Sequence, residues 1–330
     1  MMARTLPLPR AIRRFAPPAS FWIALSIFVA FALLVPRFAT LGNIENVLRV
    51  AAILCIVACG QAIVLILGGI EFSFGAAVAL ASVSTVLALP YGGPIVGFAA
   101  GAATVLAIGA INGTLIARFA LPPFLVTLGM LMIAAGAAAS LAGGLPIDAP
   151  PSELFSWPAR GRIAGVPVPV IAAAISVAVL YVLLAHTRLG RLWYLVGANE
   201  RAARLAGVPV RLATFLGYLA AAGFCSVSAI ILTSRVASGQ PSLAPNLSFD
   251  TIAACAIGGI PLAGGQGRAS QVVCGVLVIA MMNNAVVLLN LPVAFQQMMI
   301  ATVIIGAVLL QKGAGPLGGF LSTLVKRGRQ

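Results

Sequence analysis

Charge is what this sequence has least of. Of its 330 residues only 26 are charged, 20 basic and 6 acidic, or 8% of the chain. A soluble domain carries about a quarter of its residues as charge, so too few remain here to cover a water-facing surface. A soluble enzyme, a coiled coil, a disordered chain and a secreted disulfide scaffold are all excluded. There is one histidine, His186, at the end of an apolar run, and there is no CxxC pair, so no zinc framework is expected. The five cysteines, Cys55, Cys59, Cys225, Cys255 and Cys274, all fall inside apolar runs and read as packing thiols. No nucleophile triad, metal cluster or pair of catalytic carboxylates is visible, so the chain is not expected to be an enzyme or to hold a cofactor. No G-x-x-x-x-G-K-[ST] pattern occurs either. If ATP drives this protein, another chain must bind it.

What is there is apolar. Hydrophobic residues make up 61% of the chain and the mean hydropathy is +1.11. Runs of about 20 such residues can each cross a hydrocarbon core of about 30 Å as helix. The expected fold class is therefore all-α, a polytopic transmembrane helical bundle lying in a lipid bilayer. Cutting at proline, glycine and charge gives segments at 20–36, 47–67, 72–89, 94–117, 121–142, 166–186, 212–232, 250–264, 269–290 and 293–311. That predicts ten spans, or eight to nine if the short, glycine-rich eighth is re-entrant or neighbours merge. Arg4 to Arg14 ahead of the first run have the charge order of a signal peptide, but Val35, Pro36 and Arg37 replace a small-residue cleavage site, so a retained first helix is expected.

The net charge of +14 does not point to nucleic acid, because the basic residues sit between the runs and at the two ends. With ten spans and the N-terminus inside, 15 of the 20 basic residues fall on the cytoplasmic side, among them Arg188, Arg191, Arg201, Arg204 and Arg211. The outer side keeps Arg37, Arg49, Arg160, Arg162 and Arg235, the asymmetry the positive-inside rule asks for. Glu45, Asp148, Glu153 and Asp250 are expected outside as well. The domain reading is a basic cytoplasmic tail over 1–19, a membrane domain over 20–311 and a cytoplasmic tail over 312–330. Two longer loops interrupt it: a proline-rich outer segment at 143–165 and a polar inner one at 187–211.

Four motifs carry information. In the inner loop Asn199 is a good N-cap, Glu200 suits the first turn, Arg201 to Ala206 favour helix and Gly207 ends it. The small Ala202, Ala203 and Ala206, with Gly197 before them, would let another protein surface come close; a solvated connector is the plain alternative. Between the second and third runs, Gly68 and Gly69 break one helix, while Glu71 and Ser73 lie at the start of the next, ahead of Gly75. An acid set so deep in apolar sequence is either a helix cap or a functional group. The glycines of 258–267 permit close packing or a broken helix lining a path. Asn283 with Asn284, and Gln296 with Gln297, are paired amides within spans, fit for interhelical hydrogen bonds or for a pathway lining.

At these residues the sequence resembles the membrane subunit of ribose-type monosaccharide ABC importers, in the wider family of binding-protein-dependent permeases that includes branched-chain amino acid permeases. The resemblance rests on 68–75, Ile111-Asn112-Gly113, the Pro122 to Gly129 stretch, 190–208, 258–267 and the paired amides, and covers about residues 40–311. It implies an inner-membrane permease that pairs with a second permease copy and receives its sugar from a periplasmic binding protein. A cytoplasmic ABC ATPase that holds the ATP and magnesium would drive it, with 190–208 as the coupling helix. The relatives usually have Asp and Leu where this chain has Glu71 and Phe72, which leaves the sugar open. A non-sugar solute such as a branched-chain amino acid is the alternative; a secondary transporter should instead show inverted repeats or coupling charges, and no clear repeat is visible in the sequence.

Overall fold

The computed structural model describes residues 19–313. Helices follow in the order α1 (Ala19–Leu34), α2 (Leu41–Ile66), α3 (Phe74–Ala88), α4 (Gly93–Phe119), α5 (Pro123–Leu141), α6 (Glu153–Arg160), α7 (Val168–His186), α8 (Arg188–Ala198), α9 (Glu200–Leu205), α10 (Val210–Val236), α11 (Leu247–Gly258), α12 (Ala269–Leu288) and α13 (Val293–Gly313). Ten of these coincide with the ten apolar runs. Among the described residues seven are long and apolar enough to cross a membrane: α2, α3 with its 3-10 extension, α4, α5, α7, α10 and α12. The chain is thus a polytopic helical bundle. Helices α1 and α11 are shorter, and the tails up to residue 18 and from 314 onward lie outside the described residues.

From Ala51 to Ile66 helix α2 is buried without interruption and, Gln61 apart, apolar on every side, as a central helix must be. Helices α4, α5 and α7 expose Ile95, Ile133 and Ile175, which in a bilayer face lipid rather than water. The eighth run is helical only over the 12 residues of α11, about 18 Å at 1.5 Å per residue and half of a hydrocarbon core. The expected run to residue 264 ends early because Gly259, at φ 94°, takes a conformation that no helix continues.

The packing repeats itself with opposite direction. Helix α2 packs on α12 as α10 packs on α4; α3 pairs with α4 and α5 as α11 pairs with α12 and α13. In each half a long helix is followed by an unwound stretch and a shorter helix: 67–73 before α3, 240–246 before α11. Helices α3 and α11 start beside each other. The Ser248 hydroxyl donates to the Phe72 carbonyl (2.8 Å) and accepts from the Gly75 amide (3.1 Å). A Cβ on Gly75 would lie 2.5 Å from the Ala244 carbonyl oxygen, so glycine is what lets the two broken segments touch.

One end of the bundle carries the proline-rich loop, which holds short paired strands and a helix. Strand β1 (Ile147–Asp148) pairs antiparallel with β4 (Ser238–Gly239), and β2 (Arg162–Ile163) pairs with β3 (Val166–Pro167). Ser152 caps α6 by accepting from the Phe155 amide, and Phe155 stacks on Phe98 at 5.2 Å. Arg49 and Arg162 both reach Glu45 there. The other end carries α8 and α9.

Candidate functional site

At the α8 end, three glycine motifs remote in sequence meet. Helix α2 stops at Ile66, and Gly68 turns the chain with φ 82°. Gly264 and Gly265, after α11, are also left-handed at φ 86° and 74°. The Gly265 amide donates to the Ile66 carbonyl at 2.8 Å, satisfying an acceptor that the end of α2 leaves free. Gly197 near the end of α8 closes the junction. A Cβ there would overlap the same Ile66 oxygen and lie 2.8 Å from the Gly265 nitrogen; one at Gly264 would lie 2.8 Å from Gly68 Cα. Side chains lock the joint from outside: the Tyr194 hydroxyl donates to the Gly267 carbonyl (2.6 Å), and Trp193 Nε1 donates to the Ala213 carbonyl (2.9 Å). Burial raises the Tyr194 hydroxyl above its ordinary range, against a lowering by Arg268, so it remains a proton donor. Helix α8 is therefore bolted to both broken segments.

Helix α9 forms where the sequence puts it. Asn199 Oδ1 accepts from the Ala202 amide (2.9 Å), and Gly207 at φ 76° lets the Val208 amide close on the Ala203 carbonyl (3.0 Å). Glu200 pairs with Arg204 at 2.6 Å on the open face. One expectation needs correcting: Ala203 is only 5% exposed, turned into the chain's own core, so it is not a surface another protein could approach. The face left open carries Ala202, Ala206 and Leu205, the last 86% exposed.

The unwound stretch 67–73 is held by polar groups. Glu71 is 2% exposed; its Oε1 accepts from the Ser73 amide (2.7 Å) and hydroxyl (2.5 Å), and its Oε2 from Asn112 Nδ2 (3.0 Å). Thr127 donates to the Ile70 carbonyl (3.1 Å). The Glu71 carboxylate is enclosed and ties Asn112 of α4 to Ser73, the residue that precedes α3, while no side chain caps α3 itself. A Cβ on Gly69 would meet the Tyr218 hydroxyl at 2.5 Å, so Gly69 too is a close-approach glycine.

The paired amides part company. Asn284 makes a reciprocal pair with Asn43 (2.9 and 2.8 Å), joining α12 to α2. Asn283, one residue earlier, points the other way. With Arg235, Asn246, Asp250 and Gln296 it lines a cavity of about 250 Å³ at the head of α11, and Gln297 lines a neighbouring one of about 190 Å³. Asp250, the residue that opens the apolar run 250–264, lies in the first turn of α11. Ser248, Asn246 and Asn43 carried no sequence signal beyond being polar in apolar surroundings. The structure therefore brings the glycines at 68, 197, 264 and 265 together, and leaves the amide cavity at the other end of α11, between α2, α10, α12 and α13. Among the described residues no group of three or more His, Cys, Asp or Glu could hold a metal ion.

Residues 43–308 match the family model described as branched-chain amino acid transport system / permease component. The ribose import permease protein of Escherichia coli (strain K12) is 34% identical over 294 residues, 87% of this chain and 91% of the relative. The L-arabinose transport system permease protein of the same organism is 30% identical, covering 87% of each chain. A probable ABC transporter permease protein, also from that strain, is 34% identical over 94% of this chain and 96% of its own. No solved structure matches.

Proposed function

Since the chain belongs to the branched-chain amino acid transport system / permease component family, we propose that it is the multi-pass inner-membrane permease of an ABC importer that moves a monosaccharide. The observation that carries the sugar rather than the amino acid is the likeness to ribose and arabinose permeases along nearly the full length. The mirrored halves suit a secondary transporter as well as an ABC permease; family membership selects between them. In this reading the glycine junction is the mechanical element. A cytoplasmic ATPase, holding ATP and magnesium, docks on the open face of α9 and moves α8, and α8 moves the unwound ends of α2 and α11 through Gly68, Gly197 and Gly264. A periplasmic binding protein meets the proline-rich end, and a second permease copy completes the path. All ten apolar helices span, α11 with its preceding stretch counting as one. Both tails, residues 1–19 and 312–330, and the 187–211 loop then lie in the cytoplasm.

The test is isolation in mild detergent from the native membrane. An ATPase chain and a sugar-binding protein should copurify, and the complex in vesicles should take up ribose or arabinose only with ATP inside. Uptake by the permease alone, driven by an ion gradient, would overturn the ABC reading.

A further inference from the structure

Most polar groups that hold this fold together have partners: Glu71 with Ser73 and Asn112, Asn43 with Asn284, Thr127 with a backbone carbonyl. The cavity at the head of α11 is different. Asp250 Oδ1 and Asn283 Oδ1 are shielded from solvent and accept no hydrogen bond. Buried acceptors left open in this way call for an explanation, because each costs the solvation it has lost. Gln61 and Tyr218 also bury unpaired atoms, but neither lines this cavity.

The space and its chemistry suit one occupant. At a share of about 30 Å³ per water, the 250 Å³ cavity has room for several waters or one small ring sugar, and it adjoins the 190 Å³ cavity through Asn246, Asp250 and Gln296. A sugar hydroxyl donates one hydrogen bond and accepts others. The lining offers carboxylate oxygens that only accept, amides that do both, and the Arg235 guanidinium that only donates. A branched-chain amino acid could set its ammonium and carboxylate against Asp250 and Arg235, but its apolar side chain has no hydroxyl for the amides and would leave Asn283 and Gln296 unpaired. Phe249 lines the second cavity, 47% exposed, with Phe72 5.7 Å away and Phe124 5.5 Å beyond it. Such a wall suits the C–H face of a sugar ring. Phe72 is also one of the two positions where this chain departs from the usual motif.

We propose that the cavity lined by Asp250, Asn283 and Gln296 and faced by Phe249 is a transient binding station for a monosaccharide within this permease. It rests on the sugar-importer reading and adds to it a site that chooses among sugars inside the membrane domain. Asp250 and Asn283 accept from ring hydroxyls, Gln296 donates and accepts, and Phe249 packs against the apolar face.

The experiment uses the complete transporter in vesicles, with ribose and arabinose as paired probes. Asn283→Leu and Gln296→Leu should leave membrane abundance and binding-protein-stimulated ATP hydrolysis near the wild-type level. Sugar moved per ATP should fall about tenfold, the cost of one lost hydrogen bond to a buried group, and the ribose to arabinose ratio should change. A second measurement guards against misfolding: in a background without other cysteines, ribose at millimolar concentration should slow alkylation of Gln296→Cys, and a sugar alcohol that the transporter does not carry should not. Unchanged transport per ATP, an equal loss for both sugars, or alkylation indifferent to ribose overturns the station while leaving the importer intact. A wild-type complex that hydrolyses ATP with its binding protein but moves no sugar overturns the importer reading, and the station with it.

Discussion

Gly197→Ala adds a single methyl group at the point where α8, the end of α2 and the stretch after α11 touch. The added carbon would overlap the Ile66 carbonyl oxygen and stand 2.8 Å from the Gly265 nitrogen. Both obstacles are backbone, so neither can swing aside as a side-chain tip would. Overpacking of this kind costs about 1–3 kcal/mol. If Ile66 retreats, the 2.8 Å bond from Gly265 is lost as well, a further 0.5–1.5 kcal/mol or so. A total of about 2–4 kcal/mol shifts the equilibrium between docked and undocked loop by a factor of roughly 30 or more. The expected result is a lower melting temperature in detergent, and vesicles in which basal ATP hydrolysis survives while stimulation by the binding protein and sugar is lost. Gly129→Ala is the matched control. It makes the same chemical change in α5 with nothing within 4 Å of the new carbon, and alanine is the better helix former by up to about 1 kcal/mol. A Gly197→Ala transporter that melts and couples like the wild type would refute the idea that this junction carries force.

Three other outcomes are expected. Asn112→Leu removes the donor to Glu71 Oε2 and to the Ser73 hydroxyl, and should cost about 1–3 kcal/mol, read as a lowered melting temperature; Asn112→Asp, which sets two acids together, should be worse. Leu205→Ser, at an 86% exposed position, should leave the permease folded and weaken its retention of the ATPase, whereas Ala203→Trp, at a 5% exposed one, should reduce the amount in the membrane; equal folding of both would contradict the orientation of α9. Single cysteines in a cysteine-free background should show the two ends on opposite sides, with Ala164→Cys in the β2–β3 turn labelled from outside intact cells by an impermeant thiol reagent and Leu205→Cys not; the reverse pattern would invert the topology.

The helices were legible because apolar run length is the whole signal for a span, and residues such as Ala51 to Ile66 leave no alternative. The capped turn at Asn199, Glu200 and Gly207 was legible too, since capping is local chemistry. What depended on two distant segments was not. Nothing in the sequence of Ala203 distinguishes a face turned to a partner from one turned to the chain's own core. Asn283 and Asn284 look alike, yet one residue of helix is about 100° of rotation, which sends one into a cavity and the other to Asn43. The inverted repeat escaped detection because its halves share a packing pattern and not a spelling: Gly68-Gly69 opens one broken span, and Pro241 with Pro245 opens the other.

The two-residue pairing of β1 with β4 ties the outer loop directly to the stretch that leads into α11, and Ser82 holds that same stretch at Gln240. Helix α11 then runs to Gly258, and the turns beyond it rest on Gly197. One path, through the unwound stretch 240–246 and α11, thus connects the end where a loaded carrier would land to the loop where a motor would grip. In the proposed importer such a linkage would carry pressure from a loaded carrier to the motor before any cargo had moved, and would leave an unloaded system idle.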